Sequence, residues 1–259
     1  MLRELYLDNL SRLNRALDYC RERGLELYRM TSSLFPFADD ASGAGVLEEL
    51  SEEVGRVGRR AGELGIRLVL HPDQFVVLSS DSQSVVDNSI KILETHARVM
   101  DLLEQPRSAW ALMEIHGGKS GRSERLVEVL RSLPEAIAAR IALENDEYAY
   151  GAEEILEVCR AARVPMVFDA HHHVVHEKLE SYEHPSIARL LRAARETWLV
   201  PEWQLVHISN GRESFCDRHH SDMIEAMPEA FRQAPWIEVE AKQKELAIEK
   251  LRAEWLKAA

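Results

Sequence analysis

The stretch VPMVFDAHHH, residues 164–173, decides how this chain folds: an apolar run leads straight into Asp169 and His172, two metal-ligand residue types three positions apart. The layout recurs. RLVLHPDQF (67–75) ends its apolar run at His71, ALMEIHGG (111–118) at His116 and IALENDE (141–147) at Glu144. WQLVHISN (203–210) does so at His207 and WIEVEAKQK (236–244) at Glu240, while CDRHHSD (216–222) adds His220 from a loop. Short apolar runs of this kind read as buried strands, and imidazoles with carboxylates suit divalent cations. Strands that each present a ligand at the C-terminal end imply one shared rim.

Between these runs the periodicity turns helical. The spacing predicts helices over about 4–23, 45–64, 81–103, 123–130, 152–162, 185–196, 221–232 and 243–258. They alternate with strands over 25–30, 66–70, 110–115, 140–143, 165–168, 203–208 and 236–239. Alternation of this type predicts an α/β fold with a parallel sheet. A doubly wound sheet gathers its site at one switch point, whereas a barrel places every strand end around one mouth. Ligands on nearly every strand therefore favour a TIM-type (β/α) barrel, in one domain spanning residues 1–259. The chain starts directly in a helix, so the expected barrel lacks its first strand, either open there or truncated ahead of it.

Of 259 residues, 46% are apolar, enough for a substantial core, and no uninterrupted apolar run reaches the length of a membrane helix. The charged, amphipathic N-terminus resembles neither a secretory signal nor a transit peptide, and the three cysteines make no CxxC pair. The expectation is a cytoplasmic protein with no membrane partner. Net charge is 32 − 44 = −12. An acidic surface repels a phosphate backbone, so a nucleic-acid partner requires local positive charge, which two or three bound divalent cations can provide.

Each motif carries its own chemistry. Pro72 holds His71 in extended or turn geometry, and Gln74 and Phe75 follow on the loop. The glycines after His116 permit close backbone approach to a ligand. Glu144 enters the rim as a carboxylate able to bridge two cations, the arrangement that clamps a phosphoryl group. Asp169 and His172 can serve neighbouring ions, which leaves His171 and His173 as supporting or structural residues. On the last strand Glu238 and Glu240 share a face, with Glu240 taken as the ligand. In CDRHHSD the alternatives are His219, His220 and Asp217. Asp73, Asn145, Asp146 and Asn210 are candidates to orient the histidines, and Lys119, Arg122 and Lys242 to contact backbone phosphates.

Taken together, SSLFPF (32–37), HPDQF, ALENDE, FDAHHH, VHISNG and EVEAKQKE resemble the UV damage endonuclease family, over about Asn9 to Leu251. That family shares a superfamily with the three-metal apurinic-site endonucleases and xylose isomerase. The resemblance implies a TIM-type barrel holding two to three divalent metal ions, Mn2+ or Zn2+ with Mg2+ as a further candidate. It also implies a metal-dependent endonuclease that nicks damaged double-stranded DNA 5′ of UV photoproducts and abasic sites, leaving a 3′-hydroxyl and a 5′-phosphate. His71, His116 and Glu144 match one metal site, Glu144, Asp169, His207 and Glu240 a second, and His172 and His220 a third. Glu144, Asp169 and His207 form the implied catalytic centre, and Gln74 and Phe75 match the pair that probes the lesion.

The chain also departs from the family pattern. Asp39 and Asp40 stand where other members place a histidine after the FPFAS-like segment, which makes Asp40 the candidate substitute ligand. Leu205 stands where some members carry a modified lysine. The alternatives weighed are a barrel sugar isomerase with a similar dimetal site, and a non-catalytic paralogue that binds metal or DNA. Oligomeric state is left open.

Overall fold

Strands buried on both faces are what a parallel α/β sheet requires, and four of the strands here are buried at every position. The computed structural model describes residues 1–72 and 75–256. Its strands are β1 (Leu27–Met30), β2 (Arg67–Leu70), β3 (Met113–His116), β4 (Ile141–Glu144), β5 (Met166–Asp169), β6 (Leu205–Ile208) and β7 (Trp236–Val239). Fully buried are β2, β4, β5 and β6. The strands follow one another in the sheet in chain order, and the pairs β1–β2, β2–β3, β4–β5, β5–β6 and β6–β7 are parallel. This is the strand order of a TIM-type (β/α) barrel with seven strands, and among the described residues no strand precedes the first helix.

The helices are α1 (Leu2–Glu22), α2 (Ala41–Glu49), α3 (Ser51–Glu63), α4 (Gln83–Leu102), α5 (Ser123–Ser132), α6 (Glu135–Ala138), α7 (Ala152–Ala162), α8 (Ala170–Glu177), α9 (Pro185–Arg195) and α10 (Glu245–Leu251). None is long and apolar enough to cross a membrane, among the described residues.

The chain forms two compact units. Met1–Ile115 and Val129–Ala142 make the first. There α1 buries Tyr6, Leu10, Leu13, Leu17 and Cys20, a stripe at helical spacing, and packs on α3. The Tyr6 hydroxyl donates to the Pro36 carbonyl at 2.7 Å, tying the helix to the segment after β1. Arg140, fully buried just before β4, donates to the carbonyls of Gln105 (2.7 Å) and Pro106 (3.2 Å) and lies 2.8 Å from the Asp101 carboxylate. The second unit comprises His116–Glu128 and the chain from Leu143 onward. Here α7 and α9 pack on β5. The Trp198 indole donates to the Met166 carbonyl at 2.9 Å, and the Thr197 hydroxyl oxygen accepts from the Met166 N–H at 2.8 Å.

Several expected elements are corrected. The helix expected over 45–64 is two, α2 and α3, meeting at Leu50, whose fully buried side chain sits at φ −96°, ψ 14°. The stretch expected to begin a strand at Trp110 makes a short 3-10 turn, Ala109–Ala111, before β3 starts at Met113. The helix expected near 221–232 is absent. Asn210 Oδ1 accepts from the N–H groups of Glu225 (2.8 Å) and Ala226 (2.9 Å), so a side chain takes the donors a helix would use. Pro228 then precedes a single 3-10 turn, Glu229–Gln233. The last expected helix narrows to α10, followed by a π-helical turn at Arg252–Leu256. Conversely, the triple histidine lies inside α8.

Arg140→Met should destabilise the protein by roughly 1–3 kcal/mol, the cost of leaving the carbonyls of Gln105 and Pro106 without their donor, read from urea unfolding. Burial pushes the Asp101 carboxyl up, but hydrogen bonds from Arg107 and Arg140 outweigh it and hold the group below its ordinary value. A carboxyl depressed in the folded state stabilises fully above its unfolded pKa and loses that contribution as pH falls through the folded one. Asp101→Asn should therefore unfold at lower urea than the parent at neutral pH, and the gap should shrink on acidification.

Candidate metal centre

Glu144 closes the buried run Ile141–Glu144, so its carboxylate leaves the strand almost without exposure, at 1%. Imidazoles surround it. Glu144 Oε1 lies 3.2 Å from His172 Nδ1 and 3.2 Å from His207 Nδ1, and its Oε2 lies 3.8 Å from His116 Nε2. Burial acts to raise this carboxyl. The charges of His207 and His116, with contacts from His172 and His207, outweigh that and hold it well below the usual carboxylate range.

Asp169 closes β5 and is at the same time the N-cap of α8: one carboxylate oxygen, Oδ1, accepts from the His172 N–H at 2.7 Å. The other, Oδ2, is buried and has no hydrogen-bond partner. Asn145 clamps this corner, its amide donating to the Asp169 carbonyl and accepting from the Asp169 N–H, both at 3.0 Å. The cap turns His172 inward, where its Nδ1 donates to the Asn145 carbonyl at 2.9 Å. Its Nε2 is 3.8 Å from Glu147 Oε2. Burial works against protonation of His172, but Asp169, Glu144 and Glu147 prevail and push it well above the ordinary histidine value. The cluster thus attracts positive charge, which a proton or a metal ion can supply.

The neighbouring histidines face elsewhere. His171 Nδ1 meets the Tyr182 hydroxyl at 2.7 Å and its Nε2 donates to the Asp217 carbonyl at 2.8 Å. His173 Nε2 meets Ser186 Oγ at 2.8 Å. His207, the third residue of β6, is fully buried, opposite Glu238 of β7 in the register. Its Nδ1 is 3.8 Å from Glu240 Oε1 and its Nε2 is 3.5 Å from Glu238 Oε2. Of the alternatives in the CDRHHSD loop, His220 approaches Glu240 Oε2 at 3.7 Å. His219 turns instead to Asp217, 3.0 Å away, whose carboxyl is drawn down to about 2 by the N–H groups of His219 and Glu213.

Ligand atoms within 4.8 Å of one another define three overlapping groups in this unit: Glu144 with Asp169 and His172, Asp169 with His207 and Glu240, and His172 with His220 and Glu240. The buried, unbonded Asp169 Oδ2 and the mixed oxygen–nitrogen donor set fit divalent cations. His116, half-buried, stands beside Glu144, its ring 5.6 Å from that of His172. Lys119, Arg122 and Lys242 are exposed.

In the first unit His71 follows β2, its Nδ1 donating to the Pro72 carbonyl at 2.9 Å, and Phe75 is 69% exposed. Asp40 is exposed at the N-cap position of α2 and belongs to none of the ligand groups among the described residues. Gln74 and Asp73 lie outside the described residues.

Some expectations shift. Asp146 does not orient a histidine; its carboxylate accepts the N–H groups of Tyr148, Ala149 and Tyr150. Asn210 holds the 221–228 segment and the Tyr182 hydroxyl. The close approach at Gly117 is to the Tyr150 ring, which an added Cβ would meet at 2.5 Å. Glu147 was passed over in the sequence, although it is one position from Asp146, and Glu238 was weighed there only as the same-face neighbour of Glu240.

The UV-endonuclease UvdE family model matches residues 1–258. The chain is 61% identical over 257 residues to a UV DNA damage endonuclease of Nostoc sp., covering 98% of this chain and 80% of the relative. It is 47% identical over 254 residues to a UV DNA damage endonuclease of Deinococcus radiodurans, covering 97% of this chain and 83% of that one. The crystal structure of SacUVDE superposes with a TM-score of 0.81 at 26% identity, covering 96% of this chain and 88% of the other. With residues 1–258 matched, 61% identity to one relative and its fold superposing on that of SacUVDE, this chain belongs to the UV-endonuclease UvdE family.

Proposed function

We propose that this chain is a metal-dependent DNA repair endonuclease, acting in the cytoplasm as one domain over residues 1–259. It hydrolyses the phosphodiester 5′ of UV photoproducts, and of abasic sites, in double-stranded DNA. The observation that carries the reading is the meeting of Glu144, Asp169, His172, His207, His220 and Glu240 in three overlapping ligand groups, in a chain of the UvdE family.

Three overlapping groups suit two to three ions, Mn2+ or Zn2+ before Mg2+. When bound, divalent cations at such a set supply Lewis acidity toward a phosphodiester and make hydroxide available near neutral pH. The residues do the rest. Glu144, between His172 and His207, would hold an ion through its carboxylate, and Asp169 would present Oδ2 to it while Oδ1 secures the helix. His207 and Glu240 hold the far side, with His116 beside Glu144. His71 joins the ligand set on the family resemblance. Burial of the carboxylates keeps water from screening them.

For the DNA, exposed Lys119, Arg122 and Lys242 contact backbone phosphates, which a chain of net charge −12 needs locally. Phe75, exposed on its loop, stacks against the distorted base step, and Gln74 probes beside it.

Glu144→Gln should lower nicking of a UV-irradiated duplex by more than about a hundredfold, since even outer partners of metal ligands cost tenfold to a hundredfold. Parental activity in that variant would remove Glu144 from the centre. Exhaustive chelation should abolish nicking and added Mn2+ should restore it; undiminished cleavage in chelator would refute metal dependence.

A further inference from the structure

His207 has carboxylates on both sides of its ring. Toward Nδ1 stand Glu144 Oε1 at 3.2 Å and Glu240 Oε1 at 3.8 Å; toward Nε2 stands Glu238 Oε2 at 3.5 Å. Glu238 and Glu240 are alternate residues of β7 and its C-terminal edge, so their side chains leave the backbone on the same face. His207 is directly opposite Glu238 in the β6–β7 register. The imidazole is fully buried and Glu238 nearly so. One strand therefore brackets one ring.

We propose that Glu238 is a positioning residue for the metal centre. It accepts the Nε2–H of His207 and thereby fixes the tautomer that turns a bare Nδ1 toward Glu144 and Glu240. The inference rests on the reading of His207 as a ligand. A neutral imidazole has one N–H and one lone-pair nitrogen. If Nδ1 is to bind a cation it must be bare, and the hydrogen then sits on Nε2. Inside a buried sheet that N–H requires an acceptor, and the Glu238 carboxylate stands on that side. The present separation is about 0.6 Å longer than a charge-assisted hydrogen bond, within reach of a small side-chain rotation.

A carboxylate behind an imidazole ligand does two things. It fixes the ring plane, and it raises the basicity of the opposite nitrogen, strengthening its bond to a cation. Glu238 is thus distinct in role from Glu240: the same strand offers one carboxylate to the ion and another to the ligand that holds it. No chemical step is assigned to Glu238.

The test uses the full chain as parent, Glu238→Gln and Glu238→Leu. Each is freed of metal, titrated with Mn2+ by calorimetry and analysed for bound ions per chain. In parallel, the tautomer of His207 is read in zinc-loaded protein from long-range proton–nitrogen correlations in 15N-histidine samples. The expected result is an unchanged number of ions in Glu238→Gln, with one ion bound about tenfold to a hundredfold more weakly, and a larger loss in Glu238→Leu. His207 should carry its proton on Nε2, and kcat on damaged duplex should fall while KM holds. Parental Mn2+ affinity in Glu238→Gln, or a proton on Nδ1 of His207, overturns the proposal. So does a count lower by one ion, which would make Glu238 itself a ligand. A parent that takes up no divalent ion refutes the metal centre as a whole; a metal-binding parent beside an unaffected variant refutes only the role of Glu238. If neither variant folds, the tautomer of the parent decides.

Discussion

Carboxylates held away from water govern the second unit of this protein. Glu144 and Asp169 are almost wholly buried, Glu240 stands close by, and the groups facing them are imidazoles. An isolated buried carboxylate is so unfavourable that it would normally be neutralised. Here the histidine rings pull Glu144 the other way, and the carboxylates do the same to His172. The arrangement persists only where positive charge is supplied, and that requirement links the fold to its chemistry.

Much of the local structure serves to aim these groups. Asp169 spends one oxygen on the first turn of α8 and so points the other into the cluster, while the same cap brings His172 round to face it. Asn145 fastens the two strand ends from which Glu144 and Asp169 emerge. On the next layer of contacts, Tyr182 joins His171 to the Ser209 carbonyl and to Asn210. Asn210 in turn shapes the irregular segment that follows the His220 loop. The centre is built from side chains that each hold a backbone and a neighbour at once.

The triple histidine illustrates why such a site is only half legible in one dimension. Three consecutive residues of a helix point about 100° apart, so one of them at most can face a given ion, and the spacing to Asp169 favours His172. Placing His171 against Tyr182 and Asp217, and His173 against Ser186, requires partners 11 to 46 positions away. The Asn210 example is the reverse case. Residues 221–232 have helical periodicity, yet a side chain from β6's end captures two of their N–H groups. Local propensity lost to a distant hydrogen-bonding group, as it does wherever a buried polar atom must be satisfied.

Strand order, the parallel sheet and the residue types at the strand ends were determined by the sequence alone, because apolar runs of period and length suited to buried strands leave few other folds open. Which carboxylate meets which imidazole was decided only by the tertiary structure. Ring-nitrogen orientation, the choice of His220 over His219 as the neighbour of Glu240, and the position of Glu238 behind His207 depend on which side chains come within 3.0 to 3.7 Å of one another in the folded chain. Sequence spacing constrains direction along a strand or helix; it contains no information about what stands across from it.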